Sequence, residues 1–418
     1  MPSIAKEKSL NRSITIWGAF AIGSGTMVSG AIFVLPGAAY QVAGPAMVYS
    51  YILGGVVALL IALNSGEMAA QYPRAGGVYI FIHEVMGERW GLVSGWTMWF
   101  GLMAACAFYL VSFARFLDPF LKFSHHLAQT GTALLLLAVI AAVNIIGVKK
   151  ADLFQQLMVA PMLALLVGFA LAGFLAGSVP VSREQAVLSG NLGDILAVTG
   201  IIFVSYLGFM QLCSLGEEVK EPDRNIPRAM VWSVAVVTLL YLLILFALMR
   251  ILPPRELAGT APLQAYAFRL AGAAGNISML AACIVATITS ANVNFLSASR
   301  ISFAMSRNGF MQGWAAAVHP VYSTPHRALV ISTVVISAAI ILGLFSPQSL
   351  ITLSKIASAL YLFNYTLICL CVVRSRKIQQ TNPAFKVPFY PVLPLLGAVS
   401  CLLLLIYIVY TVIRSITG

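Results

Sequence analysis

The stretch GSGTMVSGAIFVLPG, Gly23–Gly37, decides how this chain is read. It sits inside a long apolar segment, yet it holds two Gly-Ser pairs, Gly23-Ser24 and Ser29-Gly30. Glycine weakens a helix, so such a cluster is either a close helix–helix packing face or a built-in break. The enclosing segment, residues 13–40, would be about 42 Å long as one straight α-helix. A bilayer core is roughly 30 Å thick, so the segment must tilt or break.

Composition sets the frame for that choice. Of 418 residues, 60% are hydrophobic and 9% charged, well below the roughly 25% charge of soluble domains. Eleven apolar spans can be placed, near 13–40, 44–71, 90–117, 130–148, 153–177, 193–216, 229–252, 275–305, 328–346, 349–373 and 391–413. The chain therefore reads as an all-α polytopic membrane protein. Its first residues, MPSIAKEKSLNRS, are polar and basic and read as a cytoplasmic lead-in rather than a cleaved signal. With the N-terminus inside, seventeen Lys and Arg fall on the cytoplasmic side and seven outside, with Lys355 within a span. The net charge of +12 is thus explained by topology, with no nucleic-acid partner implied. All six cysteines lie in apolar segments, as small core residues rather than disulfide or metal ligands.

A second irregular span supports the break. In FVSYLGFMQLCSLGEE, Phe203–Glu218, Ser205, Gly208, Ser214 and Gly216 interrupt an apolar run that ends in two carboxylates. Spans one and six hold the same place in two consecutive five-span halves. Gly-interrupted helices at corresponding positions point to a transporter built from inverted repeats. The amphipathic stretches Arg74–Gly87 and Pro254–Leu270 correspond as well.

Over nearly its whole length the chain resembles the amino acid–polyamine–organocation permeases. The likeness is carried by SGAIFVLPG at Ser29–Gly37, GEMAAQYPRAGGVYIFIHEVMG at Gly66–Gly87, EEVKEPDRNIPRAM at Glu217–Met230 and SASRISFAMSRNGF at Ser297–Phe310. The resemblance implies a ten-helix core of two inverted five-helix repeats, with broken helices one and six and here one extra C-terminal helix. Segments 13–177 and 178–373 would be the repeats, residues 1–12 the lead, and 374–418 a basic loop with the eleventh span. Unwound backbone of helices one and six would bind the substrate's carboxylate and amino group. That fits the physics, because a broken helix offers N–H groups at one half-helix end and C=O groups at the other. The chain departs from the family pattern in several places. Ala31 replaces the last glycine of Gly-x-Gly, Met210 follows Gly208-Phe209 where glutamate is common, and Asn308 replaces an aspartate. The helix-five lysine of many members, which stands in for a sodium ion, is absent from QQLMVAPMLALL. Most members have twelve spans, against eleven here.

The resemblance places the carboxylate seat at Ser29, Gly30, Ala31 and Ile32, with Gly23 and Gly25 as packing positions of the first half-helix. Ser205, Tyr206, Leu207 and Gly208 form its counterpart in span six, with Tyr206 either an aromatic gate or an interior tyrosine with a satisfied hydroxyl. Thr26 fits a substrate hydrogen bond or a backbone cap. Asn294 fits the pocket wall or an interhelical hydrogen bond. Among ionisable residues, Lys355 is either a snorkelling cation or a replacement for the missing lysine, a gate or coupling group. Glu67 is either a structural ion-pair partner or a proton-coupling carboxylate. His319 and His326 have no metal-ligand company, and no nucleotide fingerprint is present. No metal or cofactor is expected, and no nucleophile–base constellation suggests an enzyme.

Spans one, three and eight carry no Asp or Glu, so a neutral substrate is expected over a cationic one. Met27, Met98, Met103, Leu207 and Phe209 favour an apolar side chain. The expected function is a secondary transporter of neutral, apolar L-amino acids in the cytoplasmic (inner) membrane, working by export, exchange or proton coupling. Its partners would be the amino acid, membrane lipid and, where coupled, protons. A cationic amino acid or polyamine antiporter is one rival reading, and a membrane sensor that binds without transport is another.

Overall fold

The computed structural model describes residue 12 and residues 14–417, apart from 74–75, 122–125, 147–150, 177–189, 217–218, 312, 318, 320–323, 344–348 and 379–382. The lead 1–12 (except Arg12), Arg74, Lys122, Lys149, Lys150, Arg183, Glu217 and Glu218 lie outside the described residues. Among those described, helix is the regular structure throughout, joined by one isolated parallel bridge between Ile14 and Val219.

The first span is two helices, α1 (Ile16–Met27) and α2 (Gly30–Ala43). Thr15 opens α1 by accepting from the Gly18 N–H at 3.3 Å, and Ser29 opens α2 by accepting from the Ala31 N–H at 3.3 Å. A serine oxygen at this position satisfies one of the donors that every helix start leaves orphaned. The break therefore falls at Val28-Ser29, at the first residue of the expected seat. Gly23 and Gly25 stay helical because they are contact points. A Cβ on Gly23 would lie 2.6 Å from Ser233 Oγ, and one on Gly25 would lie 2.3 Å from a Val159 methyl.

At Gly44 the backbone turns with φ +55°, a conformation open to glycine, and a short 3-10 turn leads into α3 (Met47–Gln71). Then follow α4 (Val78–Met86), α5 (Glu88–Leu121), α6 (His126–Ile146) and α7 (Ala151–Leu175). The sixth span begins as α8 (Leu192–Ile202) and continues as a 3-10 helix over Phe203–Leu215. After it come α9 (Pro222–Ile251), the single turn α10 (Pro254–Leu257) and α11 (Pro262–Arg307), the last kinked at Ala271-Gly272. Finally α12 (His326–Leu342), α13 (Ser349–Ile378) and α14 (Val392–Thr417) close the chain.

Nine helical stretches of the described residues are long and apolar enough to cross a membrane, with α12 a shorter apolar helix. One of the nine, Gly30–Gln71, holds both α2 and α3, so each of the eleven sequence-predicted spans has a counterpart. In the packed bundle α3 runs along α9, and α5 lies between α11 and α13. The core is apolar and rich in aromatic rings, while Leu127, Leu135, Leu175, Leu239 and Leu403 face outward. Outward leucines on every side suit a lipid solvent and would be a liability in water.

The sixth span differs from the expected open break. Thirteen consecutive 3-10 residues are unusual, since such helices seldom run beyond about four residues. The reason lies in what packs against it, and that is the candidate site.

Candidate functional site

Gly208 is the closest point between the two irregular spans. A Cβ there would lie 2.3 Å from the Thr26 carbonyl carbon and 2.4 Å from the Met27 nitrogen, so only a glycine allows the contact. Thr26 reinforces it. Its hydroxyl lies 3.1 Å from the Gly208 carbonyl oxygen, and also 2.5 Å from Ile22 O and 3.1 Å from Gly23 O within α1. Thr26 is thus engaged with backbone of both spans.

The carbonyls around the junction are met by hydroxyls from other spans. Tyr241 of α9 donates to Met27 O at 2.7 Å and lies 3.2 Å from Ser205 O, bridging the two segments. Tyr109 of α5 donates to Val204 O at 3.2 Å, and Tyr365 of α13 to Leu207 O at 3.4 Å. Ser290 of α11 reaches Thr26 O at 3.1 Å, and Ser354 of α13 donates to Ile201 O. A helix whose carbonyls are drawn sideways by such donors loses little by leaving α geometry. This accounts for the long 3-10 run.

Ser29, Gly30, Ala31 and Ile32 line the start of α2, and Ser29, Ala31 and Ile32 have no exposed surface. Ser205 and Leu207 are equally buried in the 3-10 run. Tyr206 is buried in the same run. Its hydroxyl donates to Tyr51 O at 2.9 Å, and its ring stands edge-on to Tyr241 with centroids 5.5 Å apart. It is an interior tyrosine with a satisfied hydroxyl.

Asn294 is hydrogen-bonded between helices. Its Oδ1 accepts from Tyr361 Oη at 3.0 Å and from Gln211 Nε2 at 3.3 Å, and its Nδ2 donates to Ser290 O at 2.8 Å. This buried network ties α11 to α13 and to the 3-10 run.

Glu67 and Lys355 stand apart from the junction. Glu67 is fully buried, and Arg376 grips both its oxygens, Nε at 2.7 Å and Nη2 at 2.5 Å. The Val387 N–H donates to Glu67 Oε2 at 2.7 Å, and the guanidinium lies 4.4 Å from the Tyr390 ring centroid. A carboxylate held at both oxygens in this way is a structural clasp. Lys355 is half-buried on α13, next to Ser354, whose hydroxyl donates to Ile201 O. Among the described residues no group of His, Cys, Asp and Glu could hold a metal ion.

Sequence reasoning missed Tyr109, Tyr241, Ser290 and Tyr361. Each is an ordinary residue in an apolar span, and its importance comes from the helix rotation that aims it at a loosened carbonyl. Buried tyrosine was the available signal, since a buried phenol needs a partner.

What this geometry does chemically is present one half-helix N-terminus and several loosened carbonyls at one buried point. The family model for amino acid permeases matches residues 14–417 of the chain. The chain is similar to the methylthioribose transporter of Bacillus subtilis, 28% identical over 95% of this chain and 88% of that protein. It is also 28% identical to the branched-chain amino acid permease BcaP of B. subtilis, over 96% of this chain and 89% of that protein. The serine/threonine exchanger SteT of B. subtilis is 26% identical, over 94% and 90% respectively. With nearly its whole length matched by the family model, this chain belongs to the amino acid permease family.

Proposed function

We propose that the protein is a secondary transporter of neutral, apolar L-amino acids, with the N-terminus in the cytoplasm and the segments 13–177 and 178–373 acting as inverted repeats. The observation that carries this reading is the junction of Gly208 with the Thr26-Met27 peptide, beside the capped start of α2. There the Gly30 N–H at the start of α2 suits a carboxylate, and the carbonyls of Met27, Val204 and Ser205 suit an ammonium that displaces a tyrosine hydroxyl.

Charge supports neutrality of the side chain. Among the described residues Glu67 is the carboxylate buried in the bundle, and Arg376 already neutralises it. A cationic side chain, such as arginine or a polyamine, would lack a buried partner. Met27 and Phe209, both fully buried beside the junction, favour aliphatic and thioether side chains. The relative named for branched-chain amino acids fits that preference. Val159, in the stretch that lacks the family's helix-five lysine, packs on Gly25; export, exchange and proton coupling all remain compatible with this arrangement.

Counterflow of labelled L-leucine in proteoliposomes, challenged with the twenty amino acids and putrescine at two pH values, tests the reading. Leucine, isoleucine, valine and methionine should compete, with arginine, ornithine and putrescine inert, and flux should depend on internal amino acid. Preferential competition by the cationic compounds would overturn it. Leucine binding without counterflow would point instead to a sensor.

A further inference from the structure

We propose that Ser112 of α5 and Thr287 of α11 are substrate-positioning residues whose hydroxyls donate to the α-carboxylate of the transported amino acid. The proposal rests on the function argued above and extends its seat to two spans outside the breaks. Both residues are fully buried, and neither hydroxyl has a hydrogen-bond partner, apart from the Cys283 thiol one turn before Thr287. That is unusual for helical hydroxyls, which ordinarily donate to the carbonyl four residues back. In this protein Thr289, Thr333 and Thr366 do so at 2.8–2.9 Å.

Both side chains converge on one place. A Cβ on Gly30 would lie 3.0 Å from Thr287 Oγ1 and 3.5 Å from Ser112 Cβ. Gly30 is the first residue of α2, a helix of fourteen residues with its positive end at this point. Capping uses the neighbouring donors. The Ala31 N–H meets Ser29 Oγ at 3.3 Å, and the Ile32 N–H meets Ser29 O at 3.3 Å. The Gly30 N–H is the donor that this pattern leaves over.

Leaving a buried hydroxyl unpaired is costly, and these two groups beside the Gly30 N–H form a set of three donors whose one acceptor is the weakly accepting Cys283 thiol. A carboxylate is the acceptor that suits them, because its two oxygens take several donors and its charge suits the helix start. An ammonium does not fit, as it brings further donors. The missing Cβ at Gly30 keeps the first turn open to the approach.

The test uses the full chain in proteoliposomes, with labelled L-leucine or L-serine as probe and leucinamide as a competitor that lacks the carboxylate. Thr287→Val keeps the shape and removes the hydroxyl, and Ser112→Ala does the same on α5. Each should raise the half-saturating leucine concentration about tenfold, and shrink the preference for leucine over leucinamide by a similar factor. Thr287→Ser should restore both. Thr287→Ala serves as a second variant if the valine is poorly inserted, with thermal unfolding in detergent as the folding control. Unchanged leucine affinity in these variants overturns the proposal, and so does an equal loss for leucine and leucinamide. A wild-type protein that handles neither leucine nor serine overturns the functional reading itself, a distinct outcome that takes this proposal with it.

Discussion

Gly208→Ala is expected to abolish transport, with a loss of at least about a hundredfold, although it adds a single methyl group. The methyl would stand 2.3 Å from the Thr26 carbonyl carbon, 2.4 Å from the Met27 nitrogen and 2.6 Å from the Thr26 oxygen. All three are backbone atoms, so no rotamer change relieves the clash. Spans one and six must separate, which would also pull Met27 O and Ser205 O away from Tyr241. Gly30→Ala is the informative comparison. Its methyl meets a Thr287 hydroxyl at 3.0 Å, a side-chain atom that can turn aside, so insertion and folding should survive. Initial uptake rates normalised to membrane-inserted protein would check both. Wild-type transport by Gly208→Ala would mean that the two spans do not meet as described.

The second large effect concerns folding rather than transport. Arg376→Ala should destabilise the protein by about 3–5 kcal/mol, because it strands a buried carboxylate. Glu67 has no exposed surface, and its replacement partner would be the lone Val387 N–H. Glu67→Ala should cost less, since the Arg376 side chain keeps 21% exposure and can reach water. The double variant Glu67→Leu with Arg376→Met should recover much of the loss, because neither charge is then stranded. Thermal unfolding in detergent ranks the three. If Glu67→Ala were the more damaging, the carboxylate would have a role beyond the clasp.

Much of this architecture can be read from particular residues. The excess of glycine in Gly23–Gly37 announces an irregular first span, and the family resemblance, with Ile32-Phe33 after the break, puts the start of the second half-helix at Ser29-Gly30, where a serine cap is found. The sixth span is legible as irregular, but not as a 3-10 run. That outcome depends on hydroxyls of α5, α9, α11 and α13, which arrive from elsewhere in the sequence. Tyr241 and Met27 are 214 residues apart, and Glu67 and Arg376 are 309 apart. Periodicity says that such residues lie in spans, but not which way each helix is rotated. Tyr206 shows the same limit, because its neighbours in sequence border the junction while its own ring turns toward α3.

If the junction of spans one and six is the amino acid site, bound substrate should protect a cysteine placed there. Ser205→Cys would be labelled with a membrane-permeant maleimide in a variant lacking the six native cysteines, all of them buried. Lys355→Cys, outside the junction, is the control. Saturating L-leucine should slow labelling at position 205 and leave position 355 unchanged. Labelling at 205 that proceeds equally with and without leucine, in a variant that still exchanges leucine, would contradict the account.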